Sequence, residues 1–90
     1  MKIIFKHSPL CPVSRRAKDE MERFLETNKQ ELEYEFIDVI ANRGRSNEVA
    51  EIHGVEHESP QVIVLDDRGE VIWDASHREI TELSIRDAVS

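Results

Sequence analysis

The chain has 90 residues, 39% apolar and 34% charged, with a formal net charge of −7, which fits one compact domain over residues 1–90 and leaves no room for a second core. That acidity argues against nucleic acid and anionic membranes as partners, because neutralising phosphates needs a basic face. The single cysteine excludes an internal disulfide, a Cys-x-x-Cys pair and a thiolate-rich metal site built from this chain alone, so any redox chemistry here is monothiol.

No apolar run approaches the roughly 20 residues that cross a bilayer, and the opening Met1-Lys2-Ile3-Ile4-Phe5-Lys6 is too short for a signal peptide. The expected location is cytoplasmic. Ile3 to Lys6 reads as a short strand, broken by His7-Ser8-Pro9-Leu10, whose proline cannot donate to a ladder. From Pro12 the pattern turns helical: Val13, Ala17, Met21 and Phe24 form one stripe, with Arg15, Arg16, Asp19, Glu20 and Glu22 on other faces, fading near Asn28.

Leu32, Tyr34, Phe36 and Ile37 predict a second strand that ends at Asp38-Val39. A short helix follows, with Val49 and Ile52 inward and Gly54 as its stop. Gln61-Val62-Ile63-Val64-Leu65 is the nearly all-apolar run expected of a strand buried on both faces. Asp66-Asp67-Arg68-Gly69 turns the chain, and Glu70-Val71-Ile72-Trp73 pairs back as a hairpin. A last helix, N-capped by Thr81 or Ser84, brings Ile85, Ala88 and Val89 to the core. Trp73 reads as structural. The order is βαβαββα: a four-stranded mixed sheet flanked by helices, the minimal thioredoxin-like α/β arrangement.

Two short motifs carry chemistry. Proline is favoured at the first helical position, so Pro12 makes Cys11 the N-cap. There the amides of Val13 and Ser14 and the positive end of the helix favour thiolate, the reactive form. Ser14 stands where a dithiol protein would carry a resolving cysteine; its hydroxyl can hydrogen-bond the thiolate but cannot resolve a mixed disulfide. The second motif is His57-Glu58-Ser59-Pro60-Gln61. A proline directly before a buried strand makes Ser59-Pro60 a cis candidate, and in the minimal thioredoxin arrangement the Ser59 backbone lies beside Cys11, where it can pair with an extended thiol substrate.

With Lys6-His7-Ser8, Cys11-Pro12 and Ser14, Ser46-Asn47, Gly54-Val55, His57-Glu58-Ser59-Pro60-Gln61, Trp73, Ala75-Ser76-His77 and Ile80-Thr81 in that order, the chain resembles the monothiol bacilliredoxin family, the YtxJ-type proteins of the bacillithiol system. It departs from them at Arg15-Arg16, where small residues are common. The resemblance implies a thioredoxin-like fold and removal of bacillithiol from protein mixed disulfides, with Cys11 attacking the bacillithiol-side sulfur. It also implies bacillithiol as the low-molecular-weight thiol co-substrate, bacillithiolated client proteins as partners, and no metal.

Bacillithiol's malate is anionic, so its pocket needs cations or free amides; Lys6, His7, Arg15, His77 and Arg78 are the candidates. Ser76 and His77, expected between the last strand and last helix, are further thiol-binding candidates. The four histidines do not spell a metal site, since His53 and His57 straddle the helix stop at Gly54. A monomer is expected. Two other functions fit less well. An iron–sulfur carrier of the monothiol glutaredoxin kind favours glycine after the cysteine, whereas Pro12 removes an amide. A non-catalytic thioredoxin-fold adapter would leave Cys11 inert.

Overall fold

The computed structural model describes residues 1–90. The elements run β1 (Lys2–His7), α1 (Pro12–Thr27), β2 (Glu33–Asp38), α2 (Arg43–His53), β3 (Gln61–Leu65), β4 (Val71–Ser76), a 3₁₀ turn (His77–Glu79) and α3 (Glu82–Val89). They form one sheet of order β2-β1-β3-β4. β1 and β2 are parallel, while β1–β3 and β3–β4 are antiparallel. The thioredoxin-like arrangement expected from the element order is therefore the one observed.

Alternation along the central strands divides the core between the two faces of the sheet. Ile3, Phe5, Val62 and Val64 meet Ala17, Met21 and Phe24 of α1 and Ile85 and Val89 of α3. Ile4, Ile63 and Leu65 point the other way, onto Ile37 and Val49, so α2 alone covers that face. Gln61 to Leu65 is buried at every position, as a strand covered on both sides requires.

Several ends follow local chemistry. Gly54 closes α2 at φ 63°, where a Cβ would be strained. Thr81 caps α3, its Oγ1 accepting from the Ser84 N–H. The Asp66 carboxylate accepts from the Arg68 and Glu70 amides and shapes the β3–β4 turn.

Three expectations need correction. In α1 the buried stripe is Ser14, Ala17, Met21 and Phe24; Val13 is only half-buried because Ser14 is drawn inward by polar partners. In α2 the buried positions are Ser46 and Val49, and Ile52 is 64% exposed, since at 100° per residue it falls about 120° around the helix from Ser46. β4 runs on to Ser76, because Ala75 and Ser76 pair with Val62 and Gln61; they lie inside the strand, not after it.

Candidate active site

The C-terminal ends of β1 and β2 and the N-terminal end of β3 come together on one edge of the molecule, as the pairings Lys6–Ile37 and Lys6–Gln61 require. β1 ends in the loop Ser8-Pro9-Leu10 and delivers Cys11 to the N-cap of α1, with Pro12 at the first turn. The Cys11 amide donates to the Ser8 carbonyl at 3.1 Å, closing a turn, and the Arg15 amide donates to the Cys11 carbonyl at 3.0 Å. The thiol is half-exposed, and its side chain makes no capping hydrogen bond. Beside it Leu10 is 82% exposed.

Ser14 does not serve the sulfur in this arrangement. Its Oγ accepts from the Ser8 amide at 2.8 Å and lies 2.9 Å from His7 Nδ1. A hydroxyl has one proton and two lone pairs, so Ser14 can hold both the Ser8 amide and the His7 ring at once. The expected thiolate hydrogen bond gives way to an anchor for the loop. His7 itself is buried between Phe5 and Phe36, its ring centroid 6.0 and 5.6 Å from theirs. Burial, with the Lys18 charge adding to it, pushes its pKa down; a buried neutral ring is a poor anion contact.

Ser59-Pro60 is a cis peptide, as expected. The Pro60 carbonyl accepts from the His77 amide at 3.0 Å, and Gln61 pairs with Ser76, so the structure brings Ser59, Pro60, Ser76 and His77 together. His77 has φ 55° and faces Glu58 at 3.6 Å. Ser59 Oγ is buried without a hydrogen-bond partner. Arg15 and Arg78 are exposed.

Lys6 lies elsewhere than an anion contact should. It is fully buried on the α2 face, because β1 alternation sends it opposite to Phe5 and His7. Its Nζ donates to the Ser46 carbonyl at 2.9 Å and lies 3.1 Å from His57 Nδ1, and Ser46 Oγ is 3.2 Å from the same nitrogen. Burial pushes the Lys6 pKa down; burial, then the Lys6 charge, does the same to His57. Ser46 and His57 were not among the expected site residues. Their signal was present, since both fall in the motifs behind the family resemblance, but only the fold shows that they meet at Lys6.

No three His, Cys, Asp or Glu side chains converge as a metal-binding group, and no helix is long and apolar enough to cross a membrane.

Residues 1–85 match the monothiol bacilliredoxin BrxC family. Among solved structures, one described as a candidate oxidoreductase with a thioredoxin fold is 31% identical, with a TM-score of 0.84 over 99% of this chain and 77% of that one. Thioredoxin 1 from Thermosipho africanus TCF52B is 21% identical, TM-score 0.73, over 99% and 90% of the two chains. The Trx4 domain of ERdj5 is 12% identical, TM-score 0.62, over 98% and 75%; these last two speak for the fold alone. The chain belongs to the monothiol bacilliredoxin family, and its activity is thiol–disulfide exchange through a single cysteine.

Proposed function

We propose that this protein removes bacillithiol from protein mixed disulfides, with Cys11 as nucleophile and bacillithiol as its small-thiol co-substrate. The observation that carries the proposal is the placement of the chain's only thiol: half-exposed, at the mouth of α1, in a chain of the bacilliredoxin family. Thiolate is the attacking species in such exchange.

In the first step the Cys11 thiolate attacks the bacillithiol-side sulfur. The Cys11–bacillithiol bond forms as the old disulfide breaks, and the client cysteine leaves as a thiolate that takes a proton from water. In the second, another thiolate attacks the adduct, either free bacillithiol or a partner's cysteine, and returns Cys11. Ser14 is a positioning residue that fixes the loop through Ser8 and His7. Pro12 starts the helix, and the Ser59 backbone ahead of cis-Pro60 is the edge along which the disulfide-bearing chain can lie. Arg15 is exposed in the first turn of α1 and is a candidate cation for the anionic thiol.

The test is to mix the reduced protein with a bacillithiolated model protein and follow both by intact mass. The client should lose the bacillithiol mass as Cys11 gains it. A client that keeps its adduct, or loses it equally fast to a Cys11→Ser variant, would sink the proposal.

A further inference from the structure

The α2 face holds positive charge without a counter-ion. Lys6 is fully buried and has no carboxylate partner. In front of it opens a cavity of about 160 Å³ lined by Val39, Arg43, Ser46, Asn47 and His57. No acidic residue lines it. Arg43 makes no ion pair, whereas Arg45, two residues on, is held by Glu35 and Glu48. In a chain of net charge −7, carboxylates are plentiful, yet none lines this cavity, and Glu58 acts on His57 from outside it.

The donors also have a defined sense. His57 Nδ1 lies against the Lys6 Nζ and the Ser46 hydroxyl; with Lys6 donating there, the ring proton sits on Nε2 and the imidazole donates outward. The Arg43 guanidinium and the Asn47 amide supply further N–H groups. The space is enough for a carboxylate-bearing end of a small molecule.

The cavity belongs to the Cys11 end of the sheet. The Val39 amide donates to the His7 carbonyl at 3.0 Å, and His57 touches Lys6. From His7 the chain passes through Ser8-Pro9-Leu10 to the thiol.

We infer that this cavity is an anion subsite that takes the dicarboxylate end of the small thiol, with Arg43, Asn47 and His57 as its contacts and Lys6 as the positioning residue that orients His57. The inference rests on the de-bacillithiolation reading for its ligand, and it moves the anionic end away from His77 and Arg78.

The experiment compares wild type with Arg43→Gln and Asn47→Ala, reading the rate of Cys11 adduct formation with bacillithiol disulfide relative to uncharged bis(2-hydroxyethyl) disulfide. In Arg43→Gln that ratio should fall about tenfold, the size expected for one charge-assisted hydrogen bond, and in Asn47→Ala it should fall less. In parallel, malate is titrated into reduced, isotope-labelled protein. Saturable shifts confined to residues near 43–47 and 57, and lost in Arg43→Gln, are expected. An unchanged ratio in Arg43→Gln overturns the site, as do malate shifts that are absent or spread over the surface. If wild type takes bacillithiol disulfide no faster than the uncharged disulfide, the ligand reading fails by itself; the malate titration then decides by the same criteria whether the cavity binds dicarboxylates.

Discussion

His7 Nδ1 and Ser14 Oγ lie 2.9 Å apart beneath the loop that carries Cys11, and both residues are buried. Because Ser14 also receives the Ser8 amide, one hydroxyl joins the end of β1, the loop and the first turn of α1. Removing it leaves the buried His7 ring nitrogen and the half-buried Ser8 amide without this partner, which costs about 1–3 kcal/mol. Ser14→Ala should therefore lower stability by that order and slow adduct formation at Cys11. Chemical denaturation with the adduct assay checks this; a variant as stable as wild type would show that the anchor is dispensable.

Two histidines should make the fold acid-sensitive: His7, which is buried, and His57, which is exposed but partly desolvated beside Lys6. The pKa values of His7 and His57 are both pushed down, chiefly by burial. Each ring thus binds its proton more readily in the unfolded chain. Stability should be fully present above the unfolded value near 6.5 and fall as pH drops through the lower folded values. Denaturant midpoints between pH 8 and 5 would show the slope, and His7→Gln should flatten part of it. A midpoint that does not move over that range contradicts the burial of a neutral His7 ring.

A second pH window lies lower. Glu35 accepts from Arg45 Nε at 2.7 Å and from its terminal nitrogen at 2.8 Å, and Lys2 is 3.0 Å away. Arg45 first among these partners holds the Glu35 pKa down to about 2. This pair joins α2 to the edge strand β2, on the face that α2 covers alone. Its contribution is present above about 4.5 and is lost as pH falls towards 2. Since the carboxylate is partly exposed, solvent screening limits the pair to about 0.5–1 kcal/mol. A Glu35→Gln, Arg45→Gln double-mutant cycle at pH 7 should return that coupling, and the same cycle at pH 2 should return almost none.

What was legible in the sequence was what local chemistry decides. Pro12 after Cys11, Gly54 after His53, Thr81 three before Ser84 and the proline ahead of Gln61 each act within a few residues, and each stands where it was expected. What was not legible depends on alternation across the sheet. Nothing near Lys6 in sequence says that it turns inward to meet Ser46 and His57, forty and fifty-one positions away. The same holds for Ile52, whose exposure follows from which stripe of α2 the sheet accepts. Ile52→Gln should accordingly change stability by less than about 0.5 kcal/mol, while Met21→Ala on the opposite face should cost about 2–5 kcal/mol. Thermal or denaturant melts would reveal a reversed order if the stripes were misplaced.

Cys11 is expected to exchange preferentially with bacillithiol disulfides. The most direct measurement mixes reduced protein separately with bacillithiol disulfide and glutathione disulfide at neutral pH and follows adducts by intact mass, with Cys11→Ser as control. A Cys11-dependent adduct that forms much faster with bacillithiol disulfide is the predicted result; equal rates, or no adduct with either, would contradict it.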